Sequence, residues 1–479
     1  MREHLKFYID GAWVDPVKLE VLDVENPASE TPAGRIALGS AMDVDKAVRA
    51  ARNAFATWSQ TSRQTRLEVL GRIMIEYQKR ADDLVAAVTE EMGAPDHLAR
   101  GVQVPIGTGH LATAINVLRD FAFEEARGAT LLIKEPIGVC GFITPWNWPL
   151  NQIVCKVAPA LAVGCTMVLK PSEVAPFSAH IFAEIIHAAG VPPGVFNLVH
   201  GDGPGVGTAL SAHPDVDVIS ITGSTRAGVE VARNAAPTVK RVHQELGGKS
   251  ANIILDDEDL ISNVARGVVS IMSNSGQTCS APTRMLVPEM RMDEAIAAAQ
   301  AAVSEIKVGH PESNAQLGPV VSKIQWDKIQ HLIQVGIDEG AILVAGGPGK
   351  PMGLDVGHYV KPTVFARVTN DMVIAREEVF GPVLAILGYE SIDAAVAIAN
   401  DSDYGLAAYV NGRDIEKARA VARRLRAGQV ALNGAFDLGA PFGGYKRSGN
   451  GREWGDYAFH EFLETKAVLG HDPPTASDS

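Results

Sequence analysis

Val216-Asp-Val-Ile-Ser-Ile-Thr-Gly-Ser-Thr-Arg-Ala-Gly228 runs from an apolar strand through a glycine turn into residues with helical spacing. A short apolar run that is buried on both faces and followed at once by a helix is the building unit of a parallel α/β sheet. Toward the N-terminus the same rhythm recurs. Ile137 to Ile143, Thr166 to Leu169 and Val195 to Val199 read as further buried strands, and Phe177 to Ala189 and Thr225 to Ala235 as helices. Gly190-Val-Pro-Pro-Gly194 stops the chain before the next strand. The spacing therefore predicts an α/β fold built on a parallel sheet with nucleotide-binding geometry. In such a fold the turn Thr222–Gly228 is either a phosphate-receiving helix start or an ordinary strand-to-helix connection.

A second αβ rhythm follows Gly247-Gly248, with a strand over Asn252 to Leu255. Helices are expected near Asp259 to Ser273, Met292 to Val303, Ser322 to Glu339 and Ile392 to Ala399, so a domain boundary is placed near Gly247. Upstream, Asp10-Gly11 between apolar residues predicts a hairpin over Phe7 to Val14. Residues 43–91 read as helices starting at Asp43, at Thr61 or Ser62, and at Ala81-Asp82. The tail from His471 is expected to fray.

With 479 residues, 46% hydrophobic and 21% charged, the composition is that of a multidomain globular chain. The net charge is −13 and no basic run occurs, so nucleic acid is not an expected partner. Charged residues fill Met1 to Lys6, and no uncharged stretch nears the roughly 20 residues that span a bilayer. A cytoplasmic protein without membrane contact is expected. Neither the four cysteines nor the 13 histidines show metal-ligand spacing, and no metal site is expected.

Cys140, Cys155 and Cys165 sit in apolar segments and read as small buried hydrophobes. Cys279 differs. It lies in Ser273-Asn-Ser-Gly-Gln-Thr-Cys-Ser-Ala281, a polar turn in which a thiol is either a nucleophile or a plain turn residue. Glu245, just before the glycine pair, suits a general base in an interdomain cleft and equally a solvated strand end.

Taken together, Thr144-Pro-Trp-Asn-Trp-Pro149, Leu169-Lys-Pro-Ser-Glu173, Thr222-Gly-Ser-Thr225, Glu245-Leu-Gly-Gly-Lys249, Gly276-Gln-Thr-Cys279, Glu377-Glu-Val-Phe-Gly-Pro382 and Pro441-Phe-Gly-Gly-Tyr-Lys446 resemble, in order and spacing, the NAD(P)-dependent aldehyde dehydrogenase superfamily. The resemblance spans nearly the whole chain. It departs at Pro282-Thr283, where the family commonly ends the cysteine motif Ala-Gly-Ser-Arg.

The resemblance implies three parts: an NAD-binding domain over residues 1–117 and 137–247, a catalytic domain over 248–447, and a small oligomerisation element with tail over 118–136 and 448–479. It implies Cys279 as nucleophile, Asn147 as oxyanion donor, Glu245 as general base, and Lys156 and Glu453 as a proton relay or a plain buried ion pair. Cofactor contacts are implied for Thr144, Pro145, Trp146, Lys170, Ser172, Glu173, Gly203, Gly207, Gly223, Ser224, Leu246, Gly247, Glu378 and Phe380. Arg284 and Lys446 read as structural. NAD is the expected cofactor, with NADP less preferred, and an aldehyde is the expected substrate.

Association as a homodimer or homotetramer is expected through strands near Thr130 to Glu135 and Phe459 to Val468. The substrate tunnel is expected at Trp148, Asn151, Gln152, Cys155, Thr278, Ser280, Phe436, Leu438 and Phe442, with Arg100 or Arg119 as the cations nearest its entrance. Relatives carry Trp where Cys155 stands, so the tunnel should be wide. None of the lining residues is cationic, so it should suit an uncharged aldehyde. A cysteine esterase or thioesterase with a vestigial nucleotide site would need the same Cys279 and Glu245, but would cleave esters undiminished without dinucleotide. A non-catalytic binding protein on the same scaffold would need none of these groups.

Overall fold

The computed structural model describes residues 1–471, so the tail from residue 472, part of the segment expected to fray, lies outside it. Five parallel strands form the centre of the first sheet, in the spatial order Arg241–Glu245, Val218–Thr222, Val139–Ile143, Thr166–Lys170, Phe196–Leu198. Chain order runs in opposite directions on either side of Val139–Ile143, which creates a switch point where ligands bind beyond the carboxyl ends of the strands. Those ends are Ile143, Lys170, Thr222 and Glu245, each at or next to a motif residue.

The hairpin Phe7–Ile9 and Ala12–Val14 closes one edge of this sheet. Its turn has φ of 53° at Asp10 and 76° at Gly11, the pair of positive values that Asp-Gly tolerates. The other edge is closed by Gly449–Asn450, antiparallel to Gln244–Glu245. By resemblance these two residues belonged with the oligomerisation segment; in the structure they join the nucleotide sheet instead. Gly449 has φ of 114°, and a Cβ there would lie 1.9 Å from the Gln244 carbonyl oxygen, so only glycine lets the chain come this close to the edge strand.

The helical layer begins one turn earlier than read. Ser40 caps Ala41–Trp58, and buried Asp43, inside the first turn, accepts from the Ser40 N–H at 2.9 Å and its hydroxyl at 2.7 Å. Every residue of the helix Pro149–Val163 is buried, the polar Asn151, Gln152 and Lys156 included, and it carries Cys155 and Lys156 side by side.

The second sheet has the order Ile342–Ala345, Thr363–Ala366, Val383–Tyr389, Arg284–Pro288, Ala251–Ile254, Ala407–Asn411, Gln429–Leu432, parallel except at its first pair. A three-stranded sheet of Leu463–Leu469, Thr130–Pro136 and Glu124–Arg127 stands apart. Its two distant segments pair with each other, Leu463 opposite Pro136 through Leu469 opposite Thr130. Phe459, read as strand, lies in the short helix Tyr457–Glu461, because its ring packs on Phe121 with centroids 5.1 Å apart.

Candidate active site

The chain approaches Cys279 through three consecutive left-handed residues, Asn274 (φ 55°), Ser275 (φ 54°) and Gly276 (φ 73°). Such conformations in non-glycine residues persist only where the surroundings hold them. Here the Ser275 hydroxyl donates to the Gly318 carbonyl at 2.9 Å, Gln277 Oε1 accepts from the Val321 N–H at 2.9 Å, and Thr278 Oγ1 accepts from Trp148 Nε1 at 2.9 Å. Tyr409 closes the far side, its hydroxyl donating to the Ser280 carbonyl at 2.9 Å. A Cβ at Gly276 would meet the Gly381 carbonyl at 2.1 Å. Burial, then the carboxylates of Glu245 and Glu378, push the Cys279 thiol up from its ordinary pKa, while the Ser280 N–H favours the thiolate.

Asn147 lies between the strand Val139–Ile143 and the helix Pro149–Val163, and it is buried. Its Nδ2 donates to the Gln277 carbonyl at 2.9 Å, and an amide has a second N–H, which leaves one donor for a ligand beside Cys279. Gln103, unread from sequence, pins the same junction by donating to the Asn147 carbonyl and to Asn274 Oδ1, both at 3.2 Å. It sits on a π-helical turn, Ala99–Gln103, which has no sequence signature of its own.

A cavity of about 190 Å³ opens onto Cys279 and is lined by Pro145, Trp146, Asn147, Gly223, Ser224, Leu246, Gly247, Glu378 and Phe380, all singled out in the sequence. Thr222, Gln325 and Lys328 complete it. The last two were missed, because they act from the outer helix Lys323–Asp338: Lys328 Nζ donates to the Glu378 carbonyl at 2.8 Å and Gln325 Nε2 to the Phe380 carbonyl at 2.9 Å. Glu378 Oε1 accepts the Gly248 N–H at 2.9 Å, and a Cβ at Gly247 would lie 2.3 Å from its other oxygen. The Trp146 and Phe380 rings meet edge to face at 5.4 Å.

Thr144, Lys170, Ser172, Glu173, Gly203 and Gly207 do not line this cavity. They sit along the same carboxyl edge of the sheet: Lys170 ends its strand and donates to Glu173 Oε2 at 2.9 Å, its carbonyl accepts the Thr144 N–H at 3.1 Å, and Gly203–Gly207 forms the turn after Phe196–Leu198. For a dinucleotide the cradle fits on local grounds. A Cβ at Gly223 would have no neighbour nearer than 3.9 Å, so the backbone there is open to a ligand, and the Thr222 hydroxyl is buried without a partner among the described residues. The helix Thr225–Ala235 presents its N-terminus there, capped by Ser224.

Glu245 ends the edge strand of the parallel run. It is buried, and neither carboxylate oxygen has a hydrogen-bond partner among the described residues. Burial and the neighbouring Glu453 push its carboxyl well above the usual carboxylate range, against the pull of Lys156 and Arg452. Glu453 accepts from Lys156 Nζ and, at 3.4 Å, from the Cys155 thiol. Glu245 faces a second, much smaller cavity, which Cys155 and Glu453 also line.

On the substrate side Cys155 does not widen a tunnel. It packs in an apolar cluster with Leu406, Phe442 and Trp454, against which Cys279 and Leu438 rest. Trp454, absent from the sequence reading, stacks on Phe442 at 4.5 Å and 18° and takes up space beside the small thiol. Asn151 is engaged by His110 at 2.7 Å, Gln152 is buried, and Phe436 is 68% exposed. Arg100 is bound elsewhere, in a surface cleft with Asp82 and Asp96. Arg119 donates to Asn116 Oδ1 at 2.9 Å. Arg284 spends its guanidinium on Asn370 and on backbone carbonyls, and Lys446 donates to the carbonyls of Asn400 and Ser402. No helix of the described residues is long and apolar enough to cross a membrane.

The family model described as the aldehyde dehydrogenase family matches residues 13–468. The chain is 57% identical over 475 residues to 3-succinoylsemialdehyde-pyridine dehydrogenase from a Pseudomonas species, covering 98% of this chain and all of that protein. In structure it is similar, with a TM-score of 0.97 and 54% identity over 98% of this chain and 97% of the other, to a cysteine-to-alanine variant of aldehyde dehydrogenase C from Pseudomonas syringae, complexed with NAD+ and octanal. An aldehyde dehydrogenase from Mycobacterium tuberculosis complexed with NAD+ gives a TM-score of 0.95 at 41% identity, with 98% of each chain covered. The nucleophile loop, the amide beside it and the glycine-lined cavity are thus found in a chain that belongs to the aldehyde dehydrogenase family.

Proposed function

We propose that the protein oxidises an uncharged aldehyde to its carboxylate with NAD, through a thioester on Cys279. The observation that carries this reading is the placement of Cys279 and the free N–H of Asn147 at one end of a cavity walled by Gly223, Glu378 and Phe380. Cys279 Sγ, as thiolate, adds to the aldehyde carbon, and the oxygen that becomes negative is met by the Asn147 amide. NAD held in the cavity would supply the acceptor for the hydride released as the thiohemiacetal becomes a thioester. Glu245 then takes a proton from water as the water oxygen bonds to the acyl carbon. Collapse breaks the carbon–sulfur bond and returns the Cys279 thiolate. Gly223, Ser224, Glu378 and Phe380 hold the cofactor's pyrophosphate and nicotinamide ends, with Lys170 and Glu173 toward the adenosine ribose.

The cluster against which Cys279 packs is apolar, built from Cys155, Leu406, Phe442 and Trp454 with Leu438 beside it. An apolar chain or ring gains about 25 cal/mol per Å² buried there, whereas a carboxylate loses hydration with no guanidinium in exchange. The octanal held by the relative from Pseudomonas syringae is an aldehyde of this uncharged kind. Catalytic efficiency, read by nicotinamide reduction, is expected to be at least about tenfold higher for hexanal or benzaldehyde than for succinic semialdehyde. A clear win for the semialdehyde would overturn the pocket reading.

NAD is expected over NADP. The Lys170 ammonium is engaged by Glu173, so a 2′-phosphate would meet a carboxylate without a free cation beside it. Efficiency with NAD should exceed that with NADP by about tenfold, and Glu173→Ser should shift the ratio by a similar factor toward NADP. Equal efficiency in the unaltered protein defeats the idea.

The outer edge of Leu463–Leu469 is unpaired among the described residues, and an open edge is an association surface. A homodimer or homotetramer is expected by light scattering at micromolar concentration; a fully active monomer would exclude it.

A further inference from the structure

The strand Arg241–Glu245 presents alternate residues to one face, which brings His243 and Glu245 to the same side, both buried. The cavity on that side, with room for about one water, is lined by Glu245, Glu453, His243 and Glu461. His243 Nε2 lies 2.5 Å from Glu461 Oε2, and the Glu461 side chain is 21% exposed, so this pair reaches from the buried cavity to solvent. Glu453, at the inner end, is held by Lys156 and the Cys155 thiol. At the outer end Glu461 Oε1 accepts the Arg452 N–H at 2.7 Å.

We propose that the His243–Glu461 pair is the proton outlet of the hydrolytic half-reaction, carrying to solvent the proton that Glu245 removes from water. The proposal rests on the functional reading above. Hydrolysis of the thioester consumes one water and yields the carboxylate, the Cys279 thiolate and two protons, one of them the proton that Glu245 takes from the attacking water. Buried Glu245 must lose that proton before the next turnover, and the cavity side of its carboxylate has no protein partner to block transfer. From Glu245 the proton crosses to Glu453 and, by way of a water in the small cavity that these groups share, to the His243 imidazole. Burial works against a charge on Glu461, but His243, the Arg452 N–H and Arg241 outweigh it and hold the carboxyl below its usual range. An ionised Glu461 stabilises the imidazolium formed in passage. The other charged groups acting on Glu245 are Lys156, which is buried, and Arg452, which is partly exposed and lines the same cavity. His243 and Glu461 are therefore positioning and relay groups that never touch the acyl carbon.

The test uses the full-length protein mixed rapidly with NAD and hexanal. Acylation is followed by the burst of nicotinamide reduction, and decay of the acyl-enzyme by acid quench, at low and high imidazole concentration. In His243→Gln and in Glu461→Gln the burst should stay within about twofold of the unaltered protein. Decay should slow by about tenfold or more and recover as imidazole rises, because a small base replaces the lost relay. Should His243→Gln fold poorly, Glu461→Gln decides alone. Decay unchanged in both variants, or slowed decay that imidazole leaves unrestored, overturns the outlet. Absence of any hexanal-dependent burst in the unaltered protein would instead overturn the oxidation reading itself.

Discussion

Cys279→Ala is expected to abolish aldehyde oxidation, lowering turnover by about four orders of magnitude or more while leaving dinucleotide binding within about twofold. No other thiol can substitute. Cys140 and Cys165 are completely buried in the nucleotide-binding half, and Cys155 is packed against Trp454 and Phe442 with its thiol directed to Glu453. The loop that carries Cys279 keeps its shape without the sulfur, because its anchors are Ser275, Gln277, Thr278 and the Ser280 carbonyl. Fluorescence titration with NAD beside steady-state turnover separates the two effects. Near-normal turnover would remove Cys279 from the mechanism, and lost binding would show that the substitution collapsed the cavity.

Glu245→Gln is expected to divide the reaction in two. Acylation needs only Cys279, Asn147 and the cofactor, so one equivalent of nicotinamide should still be reduced in a rapid burst. Deacylation should slow by about 100- to 10,000-fold, the range for loss of a positioned base. Mass spectrometry of the quenched protein should then find the acyl group on Cys279. The pH dependence has a definite sign. Only the ionised carboxylate accepts a proton, and burial with Glu453 raises the carboxyl, so deacylation in the unaltered protein should increase with pH through that raised titration. In Glu245→Gln this rise should disappear. A variant whose decay kept both its rate and its pH profile would transfer the role of base to Glu453, the carboxylate next to it.

The βα units were legible wherever apolar runs were short and bounded by glycine or proline. Val218–Thr222 and the helix Thr225–Ala235 lie where the spacing put them, since a strand buried on both faces leaves few other ways to read its residues. Ser40 was missed as a cap because buried Asp43 drew the start of the helix to itself. The C-terminal strand was read four residues too early. Phe459 alternates with polar neighbours as a strand residue does, yet its contact with Phe121 on a distant helix end fixes it in a helical turn.

The sequence by itself determined the parallel sheet and, through the motifs shared with one family, the kind of reaction and the candidacy of Cys279, Asn147, Glu245 and the glycine turns for its site. Each of these is encoded locally, in a turn type, a nucleophile's neighbours or the absence of a side chain. Only the tertiary structure decided what surrounds them. Gln103, Gln325 and Lys328 reach the site from elements with no motif, Trp454 fills the room that a small Cys155 was expected to open, and His243 joins Glu245 because a strand aims alternate residues at one cavity. These contacts link residues as much as 171 and 299 positions apart, Gln103 with Asn274 and Cys155 with Trp454, and depend on how whole layers pack. No local pattern specifies such a distance, since it is set by the sum of many side-chain volumes and backbone approaches.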